Sequence, residues 1–264
     1  MIERRAELVR IDDGFAAIYG DGRARMASAD DVLASMDRAG IDVTVVAGFW
    51  WTDPKQADEH AEYLIDVADA ASGKLLPFVP IAFGTPDALI RVRDYAAAGA
   101  AGLGEVRIGN RNEAVAGDWL AGLVAGLDLP VLVHTSEPVG RSYPGKMGGF
   151  TPYGLWRLLS KYPIRVIAAH WGGGFPFYAL MPEVQALIKE GRLAFDSAAS
   201  VFLYENRIID IITELVGSEV MLWGSDYPLR EQDIDRAEIE RSVQDPLLRS
   251  ALLGGNAVRF LGLD

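Results

Sequence analysis

The sequence predicts an α/β protein of the (β/α)8 TIM-barrel type, and three observations carry that reading. Apolar, strand-like runs alternate with helical stretches at a spacing of roughly 25–35 residues, the rhythm of βα units. The runs are near-continuously apolar, so they belong in a parallel sheet covered on both faces. Residues able to bind a metal or handle a proton stand at the ends of several runs, where barrel active sites gather. Seven strands are legible, whereas a closed barrel of this type has eight. An open doubly wound sheet is the competing reading, and it calls for a glycine-rich phosphate loop after an early strand. The first half of the chain has none; Gly172-Gly173-Gly174 follows a strand but lacks the G-x-G-x-x-G spacing. With no linker-like shift in composition and no internal repeat, residues 1–264 read as one domain.

The elements follow in order. Ser28-Ala29-Asp30-Asp31 is an N-cap followed by acidic first-turn residues, and the helix it opens runs to Gly40, a good terminating residue. A strand over Asp42–Phe49 comes next, then a helix over Lys55–Ala71 and a strand over Leu75–Phe83. Asp87–Ala98 is helical, Gly102–Ile108 a strand, Asp118–Leu127 helical and Pro130–His134 a strand. Thr151–Lys161 is helical, Ile164–His170 a strand, Tyr178–Lys189 helical and Leu193–Ser197 a strand. Arg207–Val216 is helical and Val220–Gly224 is the last strand; the remainder is helical, ending at Asn256–Leu261.

Bulk properties narrow the function. The chain carries 25 basic and 37 acidic residues, a net charge of −12. Nucleic acids and anionic membranes require a positive face, so both are excluded as partners. A small anionic substrate needs only a local arginine or two and stays open. Cysteine is absent, which removes disulfides, thiolate nucleophiles and cysteine-based zinc sites. No apolar run reaches the roughly 20 residues of a membrane span, and Met1-Ile2-Glu3-Arg4-Arg5 does not lead into the apolar core of a signal peptide. A soluble cytoplasmic protein is expected.

Two of the three histidines, His134 and His170, end apolar runs, and Asp226 ends Met221-Leu222-Trp223-Gly224-Ser225. Burying a carboxylate without a partner costs several kcal/mol, so an acid so placed has a cation or a proton to handle. Glu105, in Gly104-Glu105-Val106-Arg107, lies on another strand. Imidazole and carboxylate donors together suit Zn2+ or another divalent metal, which keeps a position for water and lowers its pKa. Each residue also has a bland reading: a hydrogen-bonded rim histidine, an Asp-Tyr-Pro turn, a Glu105–Arg107 ion pair. Their joint placement favours a site. Trp50 and Trp51 follow a strand and would stack on a planar substrate or serve equally as core. Arg107 and Arg141 suit a substrate carboxylate. Thr135–Phe150, with four glycines and two prolines, has the length of an active-site loop. His60 sits mid-helix among Asp58, Glu59 and Glu62 and is expected to be solvated.

Val133-His134-Thr135-Ser136-Glu137-Pro138, Ala169-His170-Trp171-Gly172-Gly173-Gly174, Gly224-Ser225-Asp226-Tyr227-Pro228 and the closing Gly255-Asn256-Ala257-Val258-Arg259-Phe260-Leu261 resemble the amidohydrolase superfamily. The similarity is to its amidohydrolase-related group, which contains aminocarboxymuconate-semialdehyde decarboxylase and related metal-dependent hydrolases and decarboxylases. It spans roughly Ser28 to Leu263, and Gly-Ser-Asp-x-Pro is its most specific part. The resemblance implies that His134 is the fifth-strand metal ligand, Asp226 the eighth-strand ligand or base, and His170 the sixth-strand histidine. Glu105 is similar in placement to the fourth-strand ligand of two-metal members.

The chain departs from that pattern in one respect: the family opens with a strand ending in His-x-His, and no His-x-His occurs here. The resemblance therefore implies a barrel whose first strand is missing, with exposed edges on the second and eighth strands; such edges invite pairing, and a homodimer is expected. It implies a metal-dependent hydrolase or non-oxidative decarboxylase for a small, planar or carboxylated substrate. A start assigned too far downstream, a catalytically silent barrel that at most binds a ligand, and a metal-independent lactonase-like member are the alternatives.

Overall fold

In the computed structural model, which describes residues 2–146 and 148–263, the strands are β1 (Thr44–Ala47), β2 (Leu75–Val79), β3 (Gly102–Val106), β4 (Val131–Val133), β5 (Val166–Ala168), β6 (Leu193–Asp196) and β7 (Met221–Leu222). They form one parallel sheet in the order β1 to β7, each strand paired with its successor in sequence. The helices are α1 (Arg5–Ile11), α2 (Asp13–Tyr19), α3 (Ala29–Ala39), α4 (Pro54–Ala70), α5 (Ala88–Ala97), α6 (Glu113–Leu123), α7 (Pro152–Lys161), the short turn α8 (Ala169–Gly172), α9 (Pro182–Lys189), α10 (Ser200–Leu203), α11 (Ile208–Val216), α12 (Gln232–Ser242), α13 (Pro246–Ser250) and α14 (Asn256–Leu261).

All seven expected strands are present, each shorter than expected by a residue or more. Helix starts are set by caps. Ser28 and Asp31 form a reciprocal capping box on α3, and Gly40 ends that helix in the left-handed region. The side chain of Asn112 accepts from the backbone N–H groups of Ala114 and Val115, so α6 begins five residues before the expected Asp118. The first 27 residues, unassigned from sequence, hold α1 and α2, with Asp12 capping the second through the Phe15 N–H.

The two faces of the sheet have separate cores. Outward, Val79, Leu103, Val131, Val166 and Phe195 pack under Val92, Leu120, Leu155 and Ile212 of the helical layer. Inward, Phe78, Ile167, Ala194 and Leu222 meet Leu132 and the α14 side chains Ala257, Phe260 and Leu261. Side chains alternate across each strand, which is why Phe78 and Val79 serve different cores. Gly102 and Gly104 flank Leu103 on the inner face: a Cβ on Gly102 would come within 2.6 Å of the Phe78 ring, and one on Gly104 within 2.7 Å of Leu132 Cβ. The inner core thus fills the lower barrel and leaves its upper mouth open.

The ring of strands does not close. Among the described residues β7 and β1 are not paired. The edge of β7 is covered instead by the C-terminal segment, where Trp223 N–H donates to Leu252 O (3.1 Å) and Asn256 Nδ2 donates to Met221 O (2.7 Å). Outside the gap the helical layer does close: Arg236 of α12 donates to the carbonyls of Ala39 and Gly40 at the end of α3, and Glu231 binds Arg25 and Arg38. Behind those helices lies a cavity of about 2120 Å³ that reaches from the β1 edge to the mouth. None of the described helices is long and apolar enough to cross a membrane.

Candidate metal centre

Three of the expected residues meet at the mouth. Glu105, His134 and His170 each place a donor atom within 4.8 Å of the others. Glu105 lies on β3, His134 directly follows β4, and His170 lies in α8, immediately after β5. His134 Nδ1 is 3.0 Å and His170 Nε2 3.6 Å from the same oxygen, Glu105 Oε1.

The far side of each imidazole is held by a backbone carbonyl. His134 Nε2 is 3.3 Å from Lys146 O, and His170 Nδ1 is 3.1 Å from Ala198 O. A ring N–H donated to a carbonyl turns the other nitrogen's lone pair inward, the arrangement that accompanies metal-ligating histidines. Here both inward lone pairs point at one carboxylate oxygen, and like-sign partners at 3.0 and 3.6 Å require a cation or a proton between them. Two imidazoles and a carboxylate are a suitable donor set for zinc, manganese or a similar divalent ion, so the residues present fit a metal.

Without one, a proton takes that role. Burial works against charge on His170, yet Glu105, Asp196 and Asp226 around it raise its pKa to about 9. Burial depresses His134 to about 4, despite its Glu105 partner. Burial also opposes ionisation of Glu105, but Arg107 and the two histidines outweigh it and hold the carboxyl well below its ordinary range.

His170 is held by its backbone as well as its ring. Its N–H donates to Asp196 Oδ1 at 2.9 Å, and the same oxygen accepts from Ala198 N at 3.0 Å. Burial raises the Asp196 pKa to about 6. His170 has φ 56° and Asp226 φ 56°, left-handed conformations that cost non-glycine residues energy and gather at functional sites. Asp226, four residues past β7, opens onto the cavity and lies outside the three-residue donor cluster. Crowding by protein raises its pKa; His170 and Arg107 oppose that and Glu105 adds to it.

The substrate-side expectations divide. Arg107 places its guanidinium 3.7 Å from the centre of the Trp50 ring, with Nε 3.4 Å from Glu105 Oε2 and a further bond to Gly145 O. Trp50 and Arg107 thus belong to the mouth. Trp51 does not hang over it: its ring is 2% exposed, stacked on Phe15 and packed with Leu8 and Phe49, because α1 and α2 cover it. Arg141 is exposed and lines the cavity, and its carbonyl accepts from Lys146 Nζ. His60 is likewise not a solvated residue; its Nδ1 accepts from Trp51 Nε1 at 3.0 Å and Phe49 N at 3.3 Å. Two mouth residues had no sequence signal. Tyr19 and Tyr143 line the cavity, and burial, with Asp226 nearby, raises both phenol pKa values.

A parallel αβ barrel with candidate metal donors gathered at its strand ends defines a class, the barrels with a metal site at the mouth. Within it, the sequence model of the amidohydrolase family matches residues 9–263, and the chain belongs to that family. A curated relative, 2-amino-3-carboxymuconate-6-semialdehyde decarboxylase of Dictyostelium discoideum, is 26% identical over 118 residues, which is 38% of this chain and 32% of the relative. The matched region thus spans about a third of that enzyme's length. Among solved structures, 2,6-dihydroxybenzoate decarboxylase complexed with 2,6-dihydroxybenzoate superposes with a TM-score of 0.75 at 15% identity, covering 99% of this chain and 96% of the other. The 5-carboxyvanillate decarboxylase of Novosphingobium aromaticivorans, complexed with manganese and 4-hydroxy-3-methoxy-5-nitrobenzoic acid, gives 0.73 at 14% identity, covering 99% and 92%. These two likenesses establish the fold.

Proposed function

We propose that the protein is a metal-dependent, non-oxidative decarboxylase or hydrolase for a small carboxylated aromatic substrate, with decarboxylation the favoured reaction. The observation that carries this is the convergence of two imidazoles, each fixed by a carbonyl, on one Glu105 oxygen, with Asp226 lining the same cavity. Glu105, His134 and His170 would hold the ion, which supplies charge stabilisation to substrate oxygens when bound. The decarboxylase relatives and the manganese-bound neighbour support the reaction class and the type of metal.

The remaining groups suit that chemistry. Arg107, exposed to the cavity, presents a cation to a substrate carboxylate, and Trp50 fixes its plane. Loss of CO2 breaks the carbon–carbon bond, leaves the electron pair on a ring carbon and requires a proton there. Asp226, with its pKa raised by crowding, is the group that holds it. For hydrolysis the same carboxylate acts in the opposite direction, accepting a proton from water. Asp226→Asn should then abolish CO2 release from phenolic carboxylates by the metal-loaded protein while leaving metal content intact; full activity in that variant removes Asp226 from the reaction. The unpaired β1 edge supports a homodimer, which light scattering would read as twice the chain mass, and the composition suits the cytoplasm.

A further inference from the structure

Lys146 is the unexplained residue of this site. It is 7% exposed, and lysine is almost never buried without an anionic partner. Among the described residues it has none. Its ammonium instead donates to three carbonyls of one loop, Val139 O at 2.6 Å, Arg141 O at 3.0 Å and Pro138 O at 3.5 Å. Three donors and three acceptors satisfy the group completely, so the loop from Thr135 to Phe150 closes around its own cation.

The same residue's carbonyl faces the other way and receives His134 Nε2 at 3.3 Å. The loop is anchored at its ends, where Phe150 N–H donates to His134 O (2.9 Å) and Ser136 N–H to Phe150 O (3.1 Å). On the neighbouring residue, Gly145 O is taken by Arg107. Between those anchors only the ammonium cage holds the 138–141 segment to Lys146. Backbone bonds hold the residues around it, with Lys146 N–H donating to Tyr143 O (3.2 Å) and Ile108 N–H to Gly148 O (2.7 Å). If the cage opens, the Lys146 carbonyl loses its tie to the 138–141 segment and the acceptor that orients the His134 ring is held less tightly.

We propose that Lys146 is a positioning residue whose side chain locks the loop so that its own carbonyl fixes the orientation of the His134 ring, with Nδ1 turned toward Glu105. Loop order and donor geometry are then a single unit. The assignment of His134 as a metal ligand rests on the function proposed above; the mechanical link from Lys146 to His134 does not.

The test is Lys146→Met, which keeps the length and removes the cation, read in two ways. The first is the 15N signal of His134 Nε2 in metal-free protein, with His60 as an internal control; the chain has only three histidines to assign. The second is zinc affinity by chelator competition. The expected result is a displaced His134 Nε2 signal, an unmoved His60 signal, faster proteolysis within 138–144 and zinc binding weakened by about 10-fold or more. Methylammonium, which can donate to the same three carbonyls, should restore all of them in Lys146→Ala. Should Lys146→Met fail to fold, Lys146→Gln retains a donor and should show a smaller displacement in the same direction. A His134 signal that stays in place while the loop becomes protease-sensitive overturns the proposal, whether or not zinc binds. Wild-type protein that binds no zinc overturns the ligand reading alone, and the His134 signal still decides the role of Lys146.

Discussion

Acidification should destabilise the protein through His60, by an amount the structure sets. Its Nδ1 already accepts two hydrogen bonds, from Trp51 Nε1 and Phe49 N, so protonation there breaks both. Burial lowers the pKa from 6.5 to about 4. Between those values the unfolded chain binds the proton and the native state does not, so this contribution is complete above the unfolded pKa and is lost as pH falls toward about 4. Linkage over that window gives a loss of at most about 2 kcal/mol between pH 7 and pH 5. In His60→Asn the amide oxygen stands where Nδ1 stood, accepts from Trp51 and does not titrate. Urea unfolding of both proteins at the two pH values isolates the effect: the wild type should lose about 2 kcal/mol more than the variant. Equal losses would mean that His60 titrates normally and that the Trp51–His60 bond is not maintained in solution.

Two further substitutions test how the mouth is held together. Asp12 is 1% exposed and accepts from Phe15 N, Thr52 N and Thr52 Oγ, tying α2 to the loop that carries Trp50; Asp12→Ala strands those donors and should cost about 3 kcal/mol in urea unfolding, and a midpoint equal to the wild type's would dismiss the tether. Gly149→Ala places a Cβ within 2.6 Å of both His134 O and His134 Cδ2; it should weaken zinc or manganese binding by about 10-fold through the displaced ring, and unchanged affinity on metal titration would show that His134 is not held as described.

The sheet was legible because a strand buried on both faces leaves an unbroken apolar run. Val131-Leu132-Val133 and Val166-Ile167-Ala168 lie where that signal put them. Strand ends were less legible: the Val166 run continues through Ala169 in composition, but the chain turns left-handed at His170, which hydropathy does not record. Of the site, strand-end placement pointed to His134, His170 and Asp226; the two histidines do meet, but their shared partner is Glu105, which sits within a strand and read equally as an ion-pair partner of Arg107. What failed was orientation in segments outside the repeat. Trp50 and Trp51 are adjacent and chemically alike, yet one faces Arg107 and the other enters a core built by α1 and α2. His60, among acids in sequence, turns its ring toward Trp51. Lys146 drew no attention in the sequence, and its burial follows from the loop closing over it. These depend on how a loop or a helix pair folds back onto the barrel, and no local pattern encodes that.

Glu105, His134 and His170 are proposed to hold a divalent ion although β7 and β1 are not paired among the described residues. Elemental analysis after zinc or manganese loading and extensive dialysis tests it most directly, with Glu105→Gln as the comparison. About one equivalent retained by the wild type and lost by Glu105→Gln is the predicted result, since the donor set loses its one carboxylate. Metal-free wild type, or equal retention by the two proteins, would mean that these three side chains do not hold the ion.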